Sequence, residues 1–262
     1  MNLQFAANLR KRLRGRQRTY GGWLSIGSPE VASIFAAARG DFIGIDMEHT
    51  TIELLTAQSI IRACHEYGRP CLPRVFSCNP EPIRRLLDAG ADGIILPQIS
   101  TREQIDHALE AMHFPPKGKR GFGVAAAQRY GRCFDEYVRL AKEALSLMIQ
   151  VENIEAVKNV DSLTSHPGVD AVMVGPYDIS GSLGVPGQLE HPKVTEACQE
   201  IIRSCVKNQK GCGIQLVYPN IEDLRGHLKR GFTFIVIGSD IFNLWKRSEE
   251  VDAMIESCEL NE

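Results

Sequence analysis

Glu152, in Leu147-Met-Ile-Gln-Val-Glu-Asn153, and Asp178, in Val172-Met-Val-Gly-Pro-Tyr-Asp-Ile-Ser180, each sit just past a short apolar run that reads as a buried strand. In an α/β barrel the carboxyl ends of the strands form one rim, so acids from different strands converge there. Oxygen ligands of this kind suit a hard divalent cation, Mg²⁺ or Mn²⁺, with Co²⁺ a further candidate. Taken alone, an acid after a strand is more often a helix cap or a surface-loop residue, so the rest of the chain has to support the pair.

The same placement puts further polar side chains at strand ends: Trp23, Asp46-Met-Glu-His49, Arg74, Gln98, Gln150, Tyr177, Gln215 and Ser239-Asp240. Two acids could hold a metal, Arg74 could neutralise a developing oxyanion, and the His49 imidazole could exchange a proton with substrate. Taken alone, His49 reads more readily as a helix-start residue than as a base. Arg74, between Pro73 and Val75, is harder to set aside, because a cation on a buried strand needs a partner. No rim strand ends in a lysine that could form a Schiff base.

Eight short β-branched or apolar runs alternate with helical segments: Thr19 to Ile26, Phe42 to Asp46, Cys71 to Phe76, Gly93 to Pro97, Leu147 to Val151, Ala171 to Val174, Gly213 to Val217 and Phe234 to Gly238. This predicts an α/β fold, a single (β/α)₈ TIM barrel over residues 1–262. Ser28-Pro-Glu30 supplies an N-cap with Pro at the first helical position, and Gly40 punctuates the end of that helix. Thr50-Thr-Ile-Glu53 and Ser100-Thr-Arg-Glu103 have capping-box spacing, and Asn79-Pro80 and Asn220 open two more helices. A doubly wound open sheet would need a Gly-rich phosphate loop after its first strand, and none is there. The irregular stretch from Phe114 to Cys133 is too long for an ordinary connection and reads as functional or interface-forming.

Net charge is −2 over 262 residues, which leaves no electrostatic footprint for nucleic acid. The basic start, Arg10 to Arg16, lacks the apolar core of a secretory signal, no run reaches membrane-spanning length, and the segment reads as a solvated helix face. Eight cysteines without a C-x-x-C pair point to a reducing, cytoplasmic setting. Cys64, Cys198 and Cys205 fit as core filler. The helix from Asp240 to Met254 carries Ile241, Leu244, Trp245, Val251 and Met254, and either packs at home or makes subunit contacts.

Ile45-Asp-Met-Glu-His49, Pro73-Arg74-Val75, Arg84-Arg-Leu-Leu-Asp-Ala-Gly90, Phe114-Pro-Pro-Lys-Gly-Lys-Arg-Gly121, Gln150-Val-Glu152 and Val174-Gly-Pro-Tyr-Asp-Ile-Ser180 follow one another in an order that resembles the HpcH/HpaI family of class II pyruvate aldolases. The resemblance spans about residues 20 to 245. It implies the phosphoenolpyruvate/pyruvate barrel fold, a divalent metal on Glu152 and Asp178, and an α-keto acid chelating the same ion. It further implies that Arg74 contacts the keto oxygen and His49 handles protons, oriented by an acid matching Asp88. Gln150, Gly175, Pro176 and Tyr177 would line the pyruvate pocket, with Trp23 walling the aldehyde side and Gln215 also near substrate. A homohexamer of dimers that exchange the C-terminal helix is implied as well. The expected reaction is cleavage or formation of a 4-hydroxy-2-oxo acid through a pyruvate enolate.

The chain departs from that pattern at Thr50-Thr51-Ile52, where Ala-Pro-Asn is common, at Tyr177, where a small residue is usual, and at Gln215, Val217 and Tyr218. These positions face the variable half of a substrate. An oxaloacetate-using enzyme, condensing to citrate or decarboxylating, is the alternative on the same scaffold. A non-catalytic metabolite-binding barrel is the alternative of another class.

Overall fold

Burial along most of the strands is continuous rather than alternating, because each has one face on the barrel interior and the other under helices. The computed structural model describes residues 3–259. Its strands are β1 (Thr19–Leu24), β2 (Phe42–Asp46), β3 (Cys71–Arg74), β4 (Gly93–Leu96), β5 (Ser146–Val151), β6 (Ala171–Val174), β7 (Gly211–Leu216) and β8 (Phe234–Ile237). They pair in parallel in chain order and close β8 onto β1, forming the expected (β/α)₈ barrel. The helices are α1 (Leu3–Arg14), α2 (Pro29–Ala37), α3 (Leu54–Glu66), α4 (Pro80–Ala89), α5 (Arg102–Met112) and α6 (Phe134–Ala144). They continue as α7 (Ile154–Lys158), α8 (Val160–Thr164), α9 (Pro176–Ser182), α10 (Pro192–Lys207), α11 (Ile221–Arg230) and α12 (Asp240–Glu259).

Two cores result. One lies between sheet and helices; the other fills the barrel with Phe42, Leu72, Ile95, Met148, Met173 and Phe234. α1 joins the second core through Leu9 and Leu13, so it plugs the N-terminal mouth. Burying each of those leucines contributes roughly 2 kcal/mol. The basic segment is therefore an anchor, not a solvated face. Arg10 Nε lies 3.0 Å from Asp170 Oδ1, Arg14 pairs with the same fully buried carboxylate, and Arg12 reaches Asp41 at 2.6 Å. The expectation failed because these acids stand in loops at the bottom of distant strands.

Cap positions differ from expectation in two places. Thr50 does not cap α3: its hydroxyl turns back to the Asp46 carbonyl, and Glu53 holds the N-cap. At α5 the cap falls one residue later, with the Gln104 carboxamide accepting from the Ser100 and Thr101 N–H groups. Ser28 and Asn220 cap as expected. α2 ends at Ala37, short of Gly40.

The long connection is tied down by Arg120, which is fully buried. Its guanidinium donates to Asp88 at 2.6 Å and to the Tyr137 hydroxyl at 3.1 Å, and it lies 4.7 Å from the Phe114 ring centroid. Buried charge, hydrogen bonds and ring stacking together hold the loop against α4 and α6. On α12, only Asp240 is buried; Ile241, Leu244, Trp245, Val251, Met254 and Ile255 are exposed. Beyond Phe242 and Trp245, whose rings meet Tyr218, the apolar face of that helix is not covered by its own barrel. Among the described residues, no helix is long and apolar enough to cross a membrane.

Candidate active site

The β2–β3 register sets Asp46 opposite Arg74, and the two side chains meet inside the rim. Arg74 Nε donates to Asp46 Oδ1 at 3.1 Å and Nη2 to Oδ2 at 2.8 Å, a bidentate fork that fixes the guanidinium plane. Nη1 donates to Gln150 Oε1 at 3.4 Å, and the cation rests 5.1 Å from the Trp23 ring centroid. Trp23 is 2 % exposed, and a Cβ at Gly44 would fall 2.4 Å from its ring. The indole is thus a platform beneath Arg74.

Asp46 has a second task. Its Oδ1 accepts from the Glu48 and His49 N–H groups at 3.1 and 3.3 Å, forming the turn that carries both side chains onto the rim. Glu48 Oε2 is 3.3 Å from Arg74 Nε and 3.7 Å from His49 Nε2, yet accepts no hydrogen bond. Burial pushes the Glu48 carboxyl above its ordinary value, with Arg74 and His49 pulling the other way. His49 itself is open to solvent, with 68 % of its side chain accessible.

The two acids first noticed in the sequence face each other across Gly175. A Cβ there would lie 3.2 Å from Glu152 Oε2 and 3.4 Å from Asp178 Oδ2, and 2.7 Å from the Glu152 Cβ. Only glycine leaves room for both carboxylates to converge. Glu152 is buried at the end of β5, whereas Asp178 is exposed in the first turn of α9. Burial raises the Glu152 carboxyl to about 7, the Gln98 N–H opposes the rise, and the nearby Glu48 and Asp178 charges add to it.

That shift has a measurable consequence in metal-free protein. The ordinary value is 4.5, so between 4.5 and about 7 the folded chain holds a proton on Glu152 that the unfolded chain has released. Stability therefore falls as pH rises through that window, by roughly 3 kcal/mol, and levels off above it. Urea midpoints of chelator-treated protein should show this slope, and Glu152→Gln should flatten it; an unchanged slope in the variant would refute the assignment.

Of the remaining expected residues, Pro176 opens α9 and Tyr177 is 65 % exposed, its hydroxyl 3.5 Å from where a Gly187 Cβ would stand. Gln215 is half-buried on β7. Asp88 is held by Arg120, and among the described residues it makes no hydrogen bond or ion pair with His49. It lines a groove of about 1040 Å³ with Thr50, Thr51, Phe76 and Arg85, beside the rim rather than in it. Asp240 also proves structural: its carboxylate accepts from the Ser25 and Ile26 N–H groups at 2.9 and 2.8 Å.

Three site residues had no assigned role in the sequence: Asp46, Glu48 and Gln98. The signal for the first two was available, since Asp46 and Glu48 are two apart at a strand end and Arg74 required a buried partner. Gln98 carried none.

The HpcH/HpaI aldolase/citrate lyase family model matches residues 19–246. A hydroxypyruvate/pyruvate aldolase of Chromohalobacter salexigens is 34% identical over 226 residues, covering 85% of this chain and 87% of the relative. A 2-keto-3-deoxy-L-rhamnonate aldolase of Salmonella typhi is 32% identical over 244 residues, covering 92% and 90%. The crystal structure of an HpcH/HpaI aldolase/citrate lyase family protein from Burkholderia cenocepacia superimposes with a TM-score of 0.89 at 30% identity, covering 95% of this chain and 99% of that one. With its match running through every strand of the barrel and both converging acids, the chain belongs to the HpcH/HpaI aldolase/citrate lyase family.

Proposed function

We propose that this protein is a class II pyruvate aldolase that cleaves or forms a 4-hydroxy-2-oxo acid, with pyruvate as one partner and an aldehyde as the other. The observation that carries the reading is the convergence of Glu152 and Asp178 on Gly175, within the same rim as the Asp46-clamped Arg74. The similarity to aldolases acting on 2-oxo acids supports the reaction class.

The residues fit a divalent cation. Two carboxylate oxygens flank a glycine with no side chain between them, and the donor set is hard oxygen. Among the described residues no third His, Cys, Asp or Glu completes a ligand set with them, so any further positions on the ion would fall to water or substrate. Glu152 and Asp178 would hold Mg²⁺ or Mn²⁺, with Co²⁺ also suited, and the bound ion would supply Lewis-acid stabilisation of an enolate.

The chain's own groups account for the other requirements. Arg74, held planar by Asp46 and Gln150, presents positive charge to a keto oxygen and stabilises the anion that develops there more than the neutral ketone. His49 stands on the Asp46-ordered turn, where an exposed imidazole can take the substrate hydroxyl proton and return it. Asp88 would act on His49 only through a rearrangement or a neighbouring subunit. Tyr177 and Gln215 are placed to contact the variable part of the substrate.

The decisive experiment follows exchange of the pyruvate methyl protons in D₂O by NMR, since it reports enolate formation without knowledge of the aldehyde. Exchange should require added Mg²⁺ or Mn²⁺ and stop with chelator. Absence of exchange under every metal would refute the proposal, and pyruvate release from oxaloacetate outpacing every hydroxy-oxo acid would favour the oxaloacetate reading.

The uncovered apolar face of α12 supports a homo-oligomer, and a hexamer is the state we propose. Mass photometry should give a multiple of the 29.1 kDa chain, reduced by Trp245→Glu. A monomeric wild type would overturn this. The free state of all eight cysteines supports a reducing, cytoplasmic setting.

A further inference from the structure

Gln98 occupies a backbone conformation that glutamine rarely adopts. It follows β4 with φ at +54, in the left-handed region, where a residue with a Cβ is held at a cost of order 1 kcal/mol. Strain of this kind persists where the surroundings require it. Here the flipped residue points its N–H at Glu152 Oε1, 2.6 Å away. The other oxygen, Oε2, is the one that faces Asp178 across Gly175. Its side chain goes elsewhere: Nε2 is 3.4 Å from Glu48 Oε1, on the carboxylate that adjoins Arg74 and His49.

We propose that Gln98 is a positioning residue whose left-handed backbone ties up one oxygen of Glu152 and so presents the other, singly, to the cation shared with Asp178. The inference rests on the metal-ligand reading above. A carboxylate free to rotate could offer either or both oxygens; one engaged by a fixed N–H offers one, in one direction. The side-chain amide has a separable job, steadying Glu48. The backbone bond depends on conformation and not on side-chain identity, so the two jobs respond to different substitutions.

Three variants separate them, read by Mn²⁺ affinity from calorimetry on the intact protein, with thermal melting to confirm folding. Gln98→Val keeps the N–H but places a β-branched residue where positive φ is most costly, which should swing the peptide away. Mn²⁺ affinity should fall about 10- to 100-fold, the range for losing a hydrogen bond that orients a metal ligand. Gln98→Gly and Gln98→Asn both accept the left-handed conformation and keep the N–H, and should bind Mn²⁺ within about two-fold of wild type although neither reaches Glu48 as glutamine does. Wild-type affinity in folded Gln98→Val overturns the proposal. Equal weakening in Gln98→Gly also overturns it, because the side chain would then carry the effect. Should Gln98→Val melt like an unfolded chain, the Gly and Asn variants still decide through that second outcome. Glu152→Gln is the control for the underlying reading: if it leaves Mn²⁺ binding intact, the metal assignment fails; if it abolishes binding while folded Gln98→Val binds Mn²⁺ as wild type does, only the role of Gln98 fails.

Discussion

Arg74→Met should lower kcat/KM for aldol cleavage by about 10³-fold, the upper range for removing one group that stabilises a developing oxyanion. The same substitution should destabilise the fold by about 3–5 kcal/mol, because it leaves a buried carboxylate unpaired. The unpaired group is Asp46, whose side chain is 7 % exposed and whose only cationic partner at ion-pair distance among the described residues is Arg74. At the size of this barrel that corresponds to a melting temperature lower by about 10 °C. Arg74→Lys keeps the charge but cannot make the two-pronged contact to Asp46, and should recover stability in part and activity poorly. Combining Arg74→Met with Asp46→Asn removes both charges, so the double variant should melt above Arg74→Met alone while remaining inactive. Full turnover in Arg74→Met, measured by coupled pyruvate release, would remove Arg74 from the mechanism.

Glu152→Gln should also cost about 10³-fold in kcat/KM, corresponding to the several kcal/mol that a correctly held cation contributes to an enolate-like transition state. The contrast with Arg74 lies in stability. Glu152 is a buried acid crowded by Glu48 and Asp178, and the neutral isostere relieves that repulsion while its carbonyl still accepts from Gln98. Metal-free Glu152→Gln should therefore melt no lower than metal-free wild type at pH 8, and higher if the crowding dominates. A variant that unfolds readily would mean that Glu152 holds the barrel together rather than serving a ligand. One that turns over normally would mean that the ion sits elsewhere.

Much of the barrel was legible because buried parallel strands leave short apolar runs at regular intervals, and all eight appear within a few residues of their expected bounds. Errors concentrate where the chain leaves the ladder. Thr50 has the spacing of a cap but bonds back to the Asp46 carbonyl, since the turn after β2 is organised by Asp46 instead. Glu152, Asp178 and Arg74 were legible as strand-end chemistry. What they are held by was not, with one exception: a buried Arg74 demanded an acid, and the neighbouring strand offers Asp46. Asp88 is engaged by Arg120, which comes from an irregular loop with no periodicity to place it. Gln98 was hidden for a different reason. Glutamine is not a residue type that announces a left-handed backbone, so only coordinates show it.

The plug formed by α1 bears on how this chain is made. Its apolar stripe, Ala6, Leu9 and Leu13, is synthesised well before several of its partners, since Asp170, Lys142 and the interior residues of β5 and β6 come more than 130 residues later. Until those segments leave the ribosome the barrel mouth that receives the stripe is incomplete. α1 thus completes its docking only after β5 and β6 have been made, and until then the nascent chain carries an adhesive, basic helix. Deleting residues 3–14 should accordingly leave the strands intact in principle but open the barrel from below, with the interior of Phe42, Met173 and Phe234 exposed as a surface for aggregation.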